Sequence, residues 1–220
     1  MAPTSLSRTP DDRMLLFDFG GVVQKLLDDL LASQMAQALG IPAEVFLALF
    51  VEAVPRIQVG QLSEQAFLEA VSSTCGVKLP GNSRRLFTLP FLESSQLFPN
   101  MTKLLDELLA NKVRLGVLSN TIPSHAELNR SRGNYRWFGD DVYLSCEIGL
   151  RKPDPESFLY ISRATKLEPY NLILVDDDSG NVDAARRLGM QAILHDSETM
   201  DTQLLRDSVQ QLGIRITVSA

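Results

Sequence analysis

The chain has 220 residues and a formal net charge of −6, which suits one well-buried core plus an insertion rather than two independent domains of ordinary size. The acidic balance, with no dense Lys/Arg run, argues against a nucleic-acid surface, and no segment has the long uncharged apolar stretch of a membrane helix. The only cysteines, Cys75 and Cys146, read as two buried thiols in a reducing, cytoplasmic setting rather than as a disulfide framework.

Residues 1–13, without an apolar core segment or a cleavage-like site, read as a mobile polar tail. Met14 to Phe17 is a short apolar run closed by Asp18-Phe19-Gly20-Gly21, the pattern of a buried strand broken by a glycine turn. After Val23 the period becomes helical, with Leu26, Leu27, Leu30, Leu31, Met35 and Leu39 on one stripe. Gly40 and Pro42 separate this helix from a second over Ala43 to Ala53. Ser63 is a good N-cap for a third helix reaching Gly76, and a weaker helix with loops runs to Glu93.

From Leu97 the texture changes. Met101, Leu104, Leu105, Leu108 and Leu109 predict an amphipathic helix feeding the apolar strand VRLGVLSN. The alternation continues through a strand at DVYLS, a helix over Pro155 to Thr165, a strand at LILV, a helix over Asn181 to Leu188 and a strand around Ala192 to Leu194. Such repeated units imply an α/β fold with a mostly parallel sheet covered by helices on both faces. The core is expected to comprise residues 14–23 and 97–220, and residues 24–96, with no strand of their own, to be an all-helical insertion.

Asp18 closes one apolar run and Asp176-Asp177 another. In a parallel sheet the carboxyl ends of the strands lie together at the edge where open α/β folds place ligands. Carboxylates crowded there repel unless a cation sits among them, which points to a divalent metal and a doubly charged substrate. Ser119-Asn120-Thr121 offers a hydroxyl and backbone N–H groups for a phosphoryl oxygen. Lys152 offers a cation that can pair with Asp18 and a phosphate. Together these supply what phosphoryl transfer needs, with Asp18 able to attack phosphorus. Mg²⁺ usually takes only one or two carboxylates, a count that Asp18 and Asp177 satisfy. Each residue also has an ordinary reading, since an Asp after a strand can cap a turn and Asn181 or Asp178 can serve a helix start.

In this order the segments resemble the haloacid dehalogenase superfamily, mostly phosphatases, in the subfamily with a helical (C1-type) cap between its first and second motifs. LSNT, GLRKP and VDD followed by Asn181 are similar to the sugar-phosphate phosphatases of that group and to the phosphatase domain of soluble epoxide hydrolases, as is the phrase GQLSEQAF. The resemblance implies a Rossmann-like three-layer core with Asp18 as nucleophile and metal ligand, Ser119 as phosphate-binding residue and Lys152 as the group that orients the charges. It also implies Asp177 on Mg²⁺ with Asp176 beside it, the carbonyl of Gly20 on the metal, and Asn120, Gly20 and Asn181 around a small phosphorylated metabolite. The residue two after the nucleophile, commonly an Asp acting as general acid and base, is Gly20 here. General acid–base catalysis is typically worth about 10²–10⁴-fold, so its loss slows rather than abolishes turnover and spares aryl and acyl phosphates most.

His125 and His195 are the only histidines, and single histidines without a partner motif read as structural. His125, on an expected site-facing loop after Ser119, is the candidate substitute proton donor or substrate contact. Tyr135, Trp137 and Phe138 read as core or interface aromatics of a monomer or homodimer. The runner-up is a binding or regulatory module that kept the pocket and lost turnover. A haloacid dehalogenase leaves the paired acids unexplained, a phosphonatase needs a lysine Schiff base that only Lys25 or Lys78 could supply, and FGGVV lacks the dinucleotide-binding spacing.

Overall fold

The computed structural model describes residues 13–26, 28–196, 199 and 201–216. Residues 1–12 of the expected polar tail, and Leu27 of the first apolar stripe, lie outside the described residues. The chain runs β1 (Met14–Phe17), β2 (Gln24–Leu26), α1 (Asp28–Leu39), α2 (Ala43–Gln58), α3 (Glu64–Cys75), α4 (Arg85–Ser94), β3 (Ser95–Leu97) and α5 (Pro99–Ala110). It continues through β4 (Arg114–Ser119), α6 (Pro123–Ser131), β5 (Val142–Leu144), α7 (Ser145–Ile148), α8 (Pro155–Thr165), β6 (Leu172–Asp176), α9 (Ser179–Arg187), β7 (Gln191–Leu194) and α10 (Thr202–Gln211).

Five strands form one parallel sheet in the order β5-β4-β1-β6-β7. β1 is fully buried, and its alternation divides the core in two. Leu15 and Phe17 join Val117, Ile173 and Val175 in one apolar layer, which α5 and α10 cover with Leu104, Leu105, Leu108, Leu205 and Val209. Met14 and Leu16 join Leu118, Leu172 and Leu174 in the other, covered by Phe158 and Ile161 of α8 and Ala184 and Ala185 of α9. Side chains of alternate residues leave opposite faces of a strand, so a sheet of this composition needs helices on both sides. The α/β core expected from the sequence is the observed one.

Helices α1 to α4 have their own apolar cluster around Met35, Phe46, Ile57, Phe67, Leu68 and Phe87. Two features of this block differ from expectation. The segment is not strandless at its ends, because β2 and β3 pair antiparallel, with Lys25 opposite Gln96, and this ribbon joins the helices to the sheet domain. Helix α2 also runs past Ala53 to Gln58, with Pro55 inside it. A proline forfeits the bond to the carbonyl four residues back, here that of Val51, a residue on the exposed side of the helix.

Among the described residues no single helix is long and apolar enough to cross a membrane. Tyr135, Trp137 and Phe138 are buried in the first core layer, and both cysteines are free thiols.

Candidate active site

Strand register brings the site together. Phe17 of β1 lies opposite Val117 of β4 and Val175 of β6, so the residues that follow, Asp18, Ser119 one step on, and Asp176, emerge side by side at the carboxyl edge of the three central strands. The Asp18 N–H donates to the Val175 carbonyl at 2.8 Å, extending the ladder to the first site residue. Carboxylate oxygens of Asp18, Asp176 and Asp177 all lie within 4.8 Å of one another.

Lys152 is fully buried between two of these acids. Its Nζ lies 2.9 Å from Asp18 Oδ1 and 2.6 Å from Asp176 Oδ2. Burial disfavours its charge, but the two carboxylates more than offset this and raise its pKa, so it stays protonated. The loop carrying it is clamped by Asn120, whose Nδ2 donates to the Lys152 carbonyl at 2.8 Å while its Oδ1 accepts from the Lys152 N–H at 2.9 Å. Asn120, expected to contact substrate, thus spends its side chain on positioning the lysine.

Asp176 is used up in the same manner. Its Oδ2 takes Lys152, and its Oδ1 accepts from Asn181 Nδ2 at 2.9 Å and from the Asp178 N–H at 3.0 Å. Asn181, a second expected substrate contact, therefore orients Asp176. Asp178 caps α9, its Oδ1 accepting from the N–H groups of Gly180 and Asn181, which is the helix-entry role read from the sequence. With Asp176 committed to three hydrogen bonds, Asp18 and Asp177 have the most capacity left for a divalent cation, the count Mg²⁺ favours.

Burial, reinforced by Asp176 and opposed by Lys152, pushes the Asp18 carboxyl up to about 7. Burial and the neighbouring Asp176 raise Asp177 as well. Such destabilised carboxylates, held in place by hydrogen bonds, are what a bound cation relieves.

Gly21 is a site residue that sequence reasoning missed. Its φ is +76°, and a Cβ there would lie 2.0 Å from Asp177 Oδ2, so the absence of a side chain lets Asp177 pack against the turn after β1. Gly20 differs, since nothing lies within 4 Å of where its Cβ would be. The position of the missing acid is open space.

Ser119 is buried at the end of β4. Beyond it the expected loop is instead the helix α6, opened by Pro123 at its first turn, and His125 sits on that helix, stacked at 3.9 Å on Phe91 of α4. Burial pushes the His125 imidazole down to about 3. A ring lowered in this way is neutral near pH 7, which argues against its acting as the substitute proton donor. His195 continues the sheet, its N–H donating to the Asp176 carbonyl at 2.9 Å.

Comparison with known proteins places the chain in a family. Residues 14–189 match the family model described as haloacid dehalogenase-like hydrolase. A glyceraldehyde 3-phosphate phosphatase from Methanothermobacter thermautotrophicus is 33% identical over 122 residues, 55% of this chain and 53% of that protein, so the match spans about half of its length. A D-ribitol-5-phosphate phosphatase from Bacteroides thetaiotaomicron is 27% identical over 80% of this chain and 88% of that protein. Among solved structures, a predicted HAD-like family hydrolase from Porphyromonas gingivalis superposes with a TM-score of 0.71 at 26% identity, over 89% of this chain and 98% of that one. A HAD family enzyme from Bacteroides thetaiotaomicron, crystallised with magnesium and inorganic phosphate, shares the fold with a TM-score of 0.69 at 20% identity, over 82% and 92% of the two chains. From its matched residues and its fold, this chain belongs to the haloacid dehalogenase-like hydrolases.

Proposed function

We propose that the protein is a Mg²⁺-dependent phosphatase that hydrolyses a small phosphate monoester through an aspartyl-phosphate on Asp18. The observation that carries this reading is the pairing of Lys152 with Asp18 at 2.9 Å inside a cluster of three carboxylates. A lysine fixed there holds the nucleophile and a phosphate oxygen in attack geometry, and a pure binding site has no use for a buried nucleophile. Asp18, Asp177 and the Gly20 carbonyl would hold the Mg²⁺, which neutralises charge on the phosphate. Ser119 holds a remaining phosphate oxygen, and Asp176, Asn120 and Asn181 position Lys152. Phosphatases of small phosphorylated metabolites among the relatives support this class of substrate, and the two free thiols fit a reducing, cytoplasmic setting.

In this reading α1–α4 form a cap over the sheet edge. It meets the core through Glu64, whose Oε1 accepts from the Ser124 N–H at 3.0 Å and Oγ at 2.7 Å, through Gln58 with Arg151, and through Phe91 on His125. Closure of such a lid excludes water from the reacting phosphate.

With Gly20 in place of an acid and His125 neutral, leaving groups that need no protonation react fastest. The test is phosphate release from aryl and alkyl phosphates with and without Mg²⁺. Aryl phosphate turnover is expected to need Mg²⁺ and to exceed alkyl turnover by more than about tenfold, since a general acid is typically worth about 10²–10⁴-fold. Asp18→Asn is expected to abolish both. Tight binding of a phosphate analogue by the wild-type protein without any turnover would instead favour a binding module.

A further inference from the structure

Ser119, the last residue of β4, lies opposite Leu144, the last of β5. The residue that follows β5 therefore sits beside the turn that follows β4. That residue is Ser145, fully buried at the start of α7. Its Oγ accepts from the Thr121 N–H at 2.9 Å and donates to the Thr121 carbonyl at 3.1 Å. One hydroxyl has the donor and the lone pairs for both bonds, so a single buried atom grips the peptide groups on either side of Thr121. The Thr121 N–H, one of the groups expected from the sequence to meet a phosphoryl oxygen, is thereby committed to Ser145.

The neighbouring residue is tied in the same way, since the Asn120 side chain bonds both the N–H and the carbonyl of Lys152. Two consecutive residues after Ser119 thus hold the two ends of one stretch, 145–152, through four hydrogen bonds. Between those ends α7 is closed by Gly149, whose φ is +72° and whose N–H donates to the Ser145 carbonyl at 2.9 Å. The Ser119 hydroxyl and the Lys152 ammonium, which lies 2.9 Å from Asp18, are therefore carried by one cross-braced unit. Ser119, Asn120 and Thr121 line the cavity between the sheet edge and the helical block, whereas Ser145 does not. It stands behind the site.

The geometry points to Ser145 as a positioning residue that fixes the turn carrying Ser119 against the segment carrying Lys152, so that both phosphate contacts keep one separation. It acts through Thr121 and touches neither the carboxylate cluster nor the cavity. This rests on the phosphatase reading above and concerns the same site. Without the hydroxyl, the tie at Thr121 is gone and the one at Asn120 remains. The turn then gains freedom at the point where Ser119 must meet a phosphoryl oxygen, and misplacement of such a group by about 1 Å can cost about a hundredfold in rate. Asp18 and Asp177 follow β1 and β6 and do not depend on this brace.

The test follows aryl phosphate hydrolysis by wild-type protein, Ser145→Ala and Ser145→Cys, and measures kcat/KM, the inhibition constant of inorganic phosphate and the Mg²⁺ concentration for half-maximal activity. Denaturation curves give the folded fraction of each preparation, on which the last two quantities do not depend. Ser145→Ala is expected to lower kcat/KM by about ten- to a hundredfold and to raise the phosphate inhibition constant by about tenfold, with the Mg²⁺ midpoint unchanged. Ser145→Cys, whose thiol is a weak donor and a weak acceptor, is expected to fall between the two. Should Ser145→Ala not fold, Ser145→Cys alone decides, and an unchanged phosphate constant there overturns the proposal. An unchanged phosphate constant in Ser145→Ala, with activity falling only as the folded fraction falls, also overturns it and leaves Ser145 a packing residue. A Mg²⁺ midpoint that shifts as far as the phosphate constant overturns it too, because the whole site is then disturbed. Any of these results beside Mg²⁺-dependent hydrolysis by the wild-type protein removes this inference and leaves the phosphatase reading standing. Absence of hydrolysis by the wild-type protein removes both.

Discussion

At Gly21 a single hydrogen in place of a methyl group decides where the Asp177 carboxylate sits. The backbone there is left-handed, and the space a Cβ needs is filled by the Asp177 carboxylate at 2.0 Å. Alanine would add left-handed strain of roughly 1–2 kcal/mol and push Asp177 from its place. Gly21→Ala is therefore expected to raise the Mg²⁺ concentration for half-maximal activity by about ten- to a hundredfold, the range typical when support of a metal ligand is lost. A metal titration of activity in both proteins checks it, and an unchanged midpoint would mean that Asp177 does not bind the metal. That Asp18, Asp176 and Asp177 come together was legible in the sequence because they close apolar runs, whereas Lys152 was marked by the motif GLRKP and not by periodicity. Gly21 was not legible, because the glycine pair after β1 reads as turn chemistry alone. The side-chain partners of Asn120 and Asn181 were not legible for a related reason: a sequence shows that an amide is near a site, but not which partner its two ends choose.

Helix α10 returns to the sheet after the last strand and buries only a narrow stripe, Leu205 at 2% exposure and Val209 at 0%, against α5 and the layer below β1. Truncating Leu205 to Ala leaves a cavity in a layer that also holds Phe17 and Val175, and such changes typically cost about 2–5 kcal/mol. Chemical denaturation of Leu205→Ala should show a loss of that size with Mg²⁺ dependence of activity intact. A loss below about 1 kcal/mol would place α10 outside the cooperative core. Elements of this kind marked the limit of the sequence reading. Asp201 caps α10 and Pro123 opens α6, but both helices are mostly polar, so few apolar residues mark them in the sequence. The β2–β3 ribbon joins three-residue strands from opposite ends of the helical block, and pairing over such a separation leaves no local pattern. Long buried strands and strongly amphipathic helices such as α5 were legible because burial itself imposes their periodicity.

Over the whole molecule, the parallel sheet and its two helical layers follow from alternating apolar strands and helices, whereas the seam between sheet and helical block depends on side-chain contacts that no periodicity encodes, such as Glu64 with Ser124. The fold also carries an electrostatic load at its centre that links stability to pH and metal. Asp18 titrates near 3.8 in the unfolded chain and about 7 in the folded one, burial being the largest cause. Between those values the folded protein holds a proton that the unfolded chain has released. The contribution of this group to stability is therefore complete below pH 3.8 and is lost as pH rises through about 7. Asp177, also raised by burial, acts in the same sense. Without divalent ions, the stability of the wild-type protein relative to Asp18→Asn is expected to fall steadily as pH rises from about 4 to about 7, because the variant lacks this titration. Saturating Mg²⁺ should reverse the trend, since the ion binds the deprotonated cluster and only the folded state. At a hundred times its dissociation constant it adds about 2.7 kcal/mol. Denaturation midpoints of both proteins over this pH range, with Mg²⁺ and with chelator, measure the linkage. A difference between wild type and Asp18→Asn that stays flat in chelator would mean that Asp18 ionises freely beside Lys152, and that the cluster has no need of a cation to hold its charge.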